Sequence, residues 1–205
     1  MTTSGKIELM APAGNFESMQ AALDNGCDSI YFGVEQLNMR ARATVNFVLD
    51  DLPEIARRCK EKNVRTYLTL NTIIYDHDLS IVKTLLTKAK EAGITAVIAS
   101  DQAVIMTART MGIEVHISTQ LNVTNIETVK FYAMFADTIV LSRELSLRQV
   151  KKITDDIEKE QIKGPNGNLV EIEIFGHGAL CMAVSGKCYL SLHSHNSLAN
   201  RGACK

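Results

Sequence analysis

The chain has 205 residues, 46% of them apolar and 22% charged, the balance of a folded domain rather than a disordered one. Its 22 basic and 23 acidic residues leave a net charge of −1, so no global basic field advertises a nucleic-acid partner, and RNA binding would need a local patch. No stretch approaches the roughly 18 apolar residues of a membrane helix, and the opening MTTSGKIELMAPAG lacks a signal-peptide core. The expectation is a single cytoplasmic domain over residues 1–205, without membrane contact.

Short runs rich in β-branched residues recur along the chain. They are Ile7–Ala11, Ser29–Phe32, Arg65–Leu70, Ala96–Ala99, Val115–Ser118, Thr138–Leu141 and Val170–Phe175. Most show little strict alternation, the pattern of parallel strands buried on both faces. Helical periodicity lies between them: Phe16, Met19 and Leu23 share one face, as do Leu147, Val150, Ile153 and Ile157. Capping boxes are expected at Asp51–Glu54, Thr124–Glu127 and Ser146–Gln149. Asn25-Gly26 and Ala92-Gly93 mark helix ends, and Gly164–Asn168 is a turn before the seventh strand.

Seven βα steps in one direction predict an α/β fold with a parallel sheet and right-handed crossovers. A complete (β/α)₈ barrel typically takes about 250 residues. The expectation is therefore an incomplete TIM-type barrel of about seven strands, cut short at its C-terminus and closing on an irregular, cysteine-containing segment.

Ligands of such folds bind beyond the carboxyl ends of the strands. Those ends carry Asn15, then Arg40, Arg42 and Asn46 after the second strand, and Asn71 after the third. They continue with Asp101, with Ser118, Gln120 and Asn122, with Ser142, Arg143 and Glu144, and with His177 after the seventh. Asn15 and Asp101 also read as helix caps, Ser118 and Ser142 as loop hydroxyls, and Arg143-Glu144 as a local ion pair. Arg40, Arg42, Asn71, Gln120, Asn122, Arg143 and Glu144 together suit an anionic or heteroaromatic ligand, because guanidinium groups pair bidentately with carboxylate or phosphate.

Five cysteines in a chain expected in the cytosol argue against a disulfide framework. Cys59 falls in an expected helix and reads as core; Cys27 lies at the opposite end of the strands from the site. Cys181, Cys188 and Cys204 follow a C-x₆-C-x₁₅-C spacing, which leaves open zinc (with His193 or His195 as a fourth ligand), an iron–sulfur group, or buried and free thiols.

One set of motifs is distinctive as a whole. It comprises Glu8-Leu-Met-Ala-Pro-Ala-Gly-Asn-Phe-Glu17, Tyr31-Phe-Gly33, Leu70-Asn-Thr72, His116-Ile-Ser-Thr-Gln120 and Leu141-Ser-Arg-Glu-Leu-Ser146. It ends with Phe175-Gly-His-Gly-Ala-Leu-Cys181, Ser185-Gly-Lys-Cys188 and Asn200-Arg-Gly-Ala-Cys204. These blocks resemble the collagenase-like peptidase family, peptidase family U32, including its bacterial branches that hydroxylate tRNA or ribosomal RNA. The resemblance implies a 4Fe–4S cluster on Cys181, Cys188 and Cys204, with a fourth ligand absent from this chain. It also implies oxygen-independent hydroxylation of an RNA pyrimidine, with a small carboxylate such as prephenate as the hydroxyl donor. His177 would then carry protons. The alternatives are proteolysis, for which His177 and Cys181 could be paired but no orienting third group is evident, and a non-catalytic zinc-binding fragment.

Overall fold

The computed structural model describes residues 7–34, 37–39, 47–178, 181, 183–185 and 187–204. Among them, seven strands form one parallel sheet in strict chain order. They are β1 (Met10–Pro12), β2 (Ser29–Phe32), β3 (Arg65–Leu70), β4 (Ala96–Ala99), β5 (Glu114–Ile117), β6 (Thr138–Val140) and β7 (Glu171–Glu173). The helices are α1 (Phe16–Asp24), α2 (Leu52–Glu61), α3 (Leu79–Ala92), α4 (Gln102–Thr110), α5 (Ile126–Ala133), α6 (Leu147–Glu160) and α7 (Leu190–His195). The sheet curls into a partial barrel, with β1 and β7 as its end strands.

Alternation along each strand divides the side chains into two sets. Ile30, Phe32, Leu68, Leu70, Val97, Ala99, Val115, Ile117, Ile139 and Leu141 face outward and belong to the main core. There they meet Met19 and Leu23 of α1, Ile55 and Cys59 of α2, Leu85 and Leu86 of α3, and Ile153 and Ile157 of α6. Cys27 is buried in the same core. The intervening residues face the lumen, where Tyr67, Ala96 and Ile98 form a separate apolar cluster with Met10 and Tyr31.

The expected helix starts hold in part. Ser146 makes its capping box with Gln149. At α5 the cap is Asn125, not Thr124, and its side chain accepts the Thr128 N–H at 3.0 Å. Asp51 does not cap α2 with its side chain; its carboxylate accepts the Val48 N–H at 2.8 Å and closes the 3₁₀ turn Leu49–Asp51. The outer strands are shorter than their apolar runs, because Ile7 and Leu9 before β1 and Ile174 and Phe175 after β7 are exposed.

Gly33, at the end of β2, is required by close approach. A Cβ there would lie 2.4 Å from Cγ of Asn38, which is itself buried. Gly33→Ala should overpack this contact and lower stability by about 1–3 kcal/mol in urea unfolding. An unchanged midpoint would show that the Asn38 loop yields freely.

Candidate active site

The strand register places side chains in levels across the lumen. Continuing the β3–β7 pairings by one residue puts Asn71, Ser100, Ser118, Val140 and Glu173 on one level at the mouth. The level below carries Thr69, Ile98, His116, Thr138 and Glu171.

Asn71 is the hub of the upper level. Its Oδ1 accepts the Met39 N–H at 3.1 Å, its Nδ2 donates to Ser118 Oγ at 3.4 Å, and its carbonyl accepts from Ser100 Oγ at 2.9 Å. Ser118 caps the 3₁₀ turn Thr119–Leu121, so it is a structural hydroxyl as well as a wall of the mouth. Gln120 and Asn122 stand on that turn and just after it, and Asn122 takes a left-handed conformation at φ 51°. Gln120 Oε1 and Asn122 Oδ1 are both enclosed without a hydrogen-bond partner among the described residues. Asn15 and Asp101 are helix caps. Asp101 does more, since its Oδ2 also accepts the Ile74 N–H at 3.0 Å and ties the β3 loop to α4.

The cysteine segment is strapped across this mouth at three places. Arg143 donates to the Ala183 carbonyl at 3.1 Å. Asn122 Nδ2 donates to the Ser185 carbonyl at 2.7 Å. At the far end, the Ile73 N–H donates to the Asn200 carbonyl at 3.1 Å, and Arg201 forks onto Asp78 at 2.7 and 3.2 Å. Arg201 also reaches the Ile73 carbonyl at 2.6 Å and lies over the Tyr75 ring. The segment therefore runs over the carboxyl ends of β6, β5 and β3. Arg143 and Asn122, expected to touch a ligand, hold this strap in place. Arg143 forms no short ion pair with Glu144; the Glu144 carboxylate accepts from the Ser142 hydroxyl, which, with its own N–H and the Arg143 charge, keeps its pKa below the usual range.

Cys181 and Cys204 are exposed and Cys188 is half-buried, whereas Cys27 and Cys59 lie in the core. Burial pushes the Cys59 thiol up to about 11, so it is an inert core residue. In donor chemistry, three accessible thiols fit a thiophilic metal or iron–sulfur group. In position they have not converged: among the described residues, no three His, Cys, Asp or Glu side chains are grouped to hold a metal. His177 is exposed on the connection after β7. Arg40, Arg42 and Asn46 lie outside the described residues. A cavity of about 80 Å³ opens at the rim between Ser142, Arg143, Leu147 and Phe175. The larger groove, of about 770 Å³, lies between α2 and α3 at the opposite end of β3.

Sequence reasoning missed the lumen charges. Glu173 is half-buried with Oε2 wholly enclosed and unpartnered, and desolvation raises its pKa while the nearby His116 opposes the rise. His116 is 3% exposed; its Nε2 meets Glu114 at 3.2 Å, its ring tilts against Tyr67 at 4.5 Å, and its Nδ1 is enclosed without a partner. The signal was present in Glu171-Ile-Glu-Ile174, where polar and apolar residues alternate, unlike a parallel strand buried on both faces.

The model of peptidase family U32 matches residues 14–205. The chain is 56% identical over 198 residues to a collagenase of Porphyromonas gingivalis, covering 97% of this chain and 48% of that protein. It is 31% identical over 202 residues to tRNA hydroxylation protein P1 of Bacillus subtilis, covering 97% and 45%. It is 33% identical over 203 residues to the 23S rRNA 5-hydroxycytidine C2501 synthase of Escherichia coli, covering 98% and 29%. The solved U32 peptidase Mk0906 superposes with a TM-score of 0.61 at 15% identity, over 85% of this chain and 70% of that one. The chain belongs to peptidase family U32, and its curled parallel sheet is the barrel-type fold of that family. It spans about half the length, or less, of these curated relatives.

Two outcomes test the site. Asp78→Ala should cost about 2 kcal/mol, discounted for the partial exposure of Arg201, and should raise deuterium uptake across residues 197–204 at least tenfold in rate. Unchanged uptake there would show that the Asp78–Arg201 fork does not hold the segment. Glu173 has a raised folded-state pKa, so its contribution is complete below about pH 4 and falls as pH rises through the folded value. Glu173→Gln should therefore melt higher than the parent at pH 8 and match it near pH 4. Equal melting at both pH values would contradict a desolvated carboxyl.

Proposed function

We propose that the full-length protein is an iron–sulfur-dependent, oxygen-independent hydroxylation protein acting on a pyrimidine in tRNA or ribosomal RNA, in the cytoplasm. The observation that carries this reading is the strap. Asn122, Arg143 and the Asp78–Arg201 fork draw a thiol-bearing segment over the mouth of a barrel whose rim is polar. The names of the Bacillus and Escherichia relatives support the reaction class and the RNA partner.

Cys181, Cys188 and Cys204 would hold the cluster, with a fourth ligand from outside this chain or from the reactant. When bound, such a group supplies an iron able to take an oxygen-bearing ligand. The remaining tasks fall to the chain itself. Arg40, Arg42 and Arg143 would hold the carboxylates of a small donor. Asn71 and Gln120 present amide groups to the edge of a heterocycle, and the enclosed Gln120 Oε1 is an acceptor still in need of a donor. A base would have to leave its stack to reach the mouth. His177 is free at the surface to move a proton to or from it.

A second reading is proteolysis, favoured by the name of the 56% identical relative. The experiment is anaerobic purification of the full-length protein, iron and sulfide analysis, and nucleoside mass spectrometry of RNA from a gene-deleted strain. The expected result is about four iron and four sulfide per chain and a hydroxylated pyrimidine restored by the parent gene but not by Cys181→Ser. Protein without iron, RNA unchanged by deletion, and gelatin cleavage abolished by Cys181→Ser would establish the peptidase instead.

A further inference from the structure

The lumen beneath the mouth holds a group of titratable side chains that the rim chemistry does not use. Tyr67 on β3 donates to Glu8 Oε1 at 2.8 Å, and Arg65 on the same strand pairs with Glu8. Glu114 and His116 face in from β5, and Glu171 and Glu173 from β7; the three glutamates act electrostatically on Tyr67, whose hydroxyl burial pushes up to about 12, and the His116 ring lies against it. Among the described residues, four glutamates thus share the lumen with one arginine and one histidine. Glu8 and Glu114 are already paired, the one with Arg65 and Tyr67, the other with His116.

Glu173 is different in two respects. It stands on the upper level with Asn71 and Ser118, so it is the first carboxyl of the lumen that a molecule entering the mouth would meet. It also has an enclosed, unpartnered oxygen near the enclosed, unpartnered Nδ1 of His116 on the level below. Two such enclosed orphans are costly. The carboxyl and the imidazole do not bond each other, so the Glu173 oxygen is left for a group brought by an entering molecule.

We infer that Glu173, backed by His116, forms the floor of the site as a hydrogen-bonding position for a neutral, carbonyl-bearing ring. The same floor turns away carboxylates and phosphates, which remain at the rim. The charges of the described residues support the exclusion: among them, an anion on the floor would sit with Glu171, Glu173 and Glu114 and have Arg65 and His116 to offset them, and Arg65 is engaged by Glu8. The site thereby sorts its reactants by charge, the ring going down and the anionic parts staying up. The choice of a pyrimidine as that ring rests on the function proposed above; the charge sorting does not.

Ligand-observed NMR on the full-length protein tests it, with 2-pyridone as the neutral ring, benzoate as an anionic ring of similar size, and a uridine-containing RNA pentanucleotide as a third probe. At pH 6 the parent should bind 2-pyridone at least fivefold more tightly than benzoate, and benzoate should not displace it. Glu173→Leu should lose at least fivefold in 2-pyridone affinity while melting cooperatively, and Glu173→Gln, which keeps a donor and an acceptor, should retain it. Raising the pH should weaken 2-pyridone binding in the parent as the acid loses its proton, and leave Glu173→Gln unaffected. Unchanged 2-pyridone affinity in Glu173→Leu, or displacement by benzoate, would overturn the inference. Binding of 2-pyridone with this pattern but none of the pentanucleotide would uphold the floor and defeat the RNA assignment.

Discussion

Parallel pairing in strict chain order is the constraint on which the rest depends. Each strand presents alternate residues to the helices and to the lumen, and the unbroken register turns those alternations into levels. The outward set is apolar but for Thr66 at the start of β3, and supplies the core. The inward set has no helix to pack against and is free to carry tyrosine, histidine and glutamate. Asn71, Ser118 and Glu173 stand on one level although more than a hundred residues separate the first from the last. A one-residue slip in any ladder would exchange lumen and core faces and destroy both at once.

The second organising contact is between the barrel and its own C-terminal segment. Asn122 and Arg143 have side chains of the kind that bind substrates, yet their partners are backbone carbonyls of the cysteine segment. They act by placing other residues. Arg201 and Asp78 complete the work at the far end, where the buried carboxylate also accepts the Tyr75 N–H at 2.9 Å and so shapes the loop before α3. Hydrogen bonds from Arg201 keep the Asp78 carboxyl below the usual range, so the fork holds above the ordinary carboxylate pKa and fails only as pH falls beneath it.

Much of this was legible in the sequence, for identifiable reasons. The strand order followed from β-branched runs separated by helical periodicity, and the caps at Asn15, Asp101 and Ser146 followed from local hydrogen-bonding chemistry. Local signals failed where two capping residues adjoined: Asn125 displaced Thr124 because its amide oxygen reaches the third helical N–H. The rim residues were found because strand ends are easily located. Their partners were not, since the strap joins residues 40, 63 and 123 positions apart, and no local pattern records such pairs. Glu173 and His116 were missed because they lie inside strands, where a polar residue tells nothing about its surroundings until the curvature of the sheet is known.

The sequence distance spanned by the Asp78–Arg201 fork has a consequence for assembly. Closing a loop of 123 residues is an entropic cost that can be recovered only after the intervening βα units have formed. The contacts of the fork can thus form only after those units have folded, and the thiol segment they hold is expected to be among the parts that open readily. Its cysteines meet solvent and whatever the cell offers them while the scaffold beneath is already rigid. A group taken up by these thiols would meet a framework of βα units already in place, with the fork holding the segment over it.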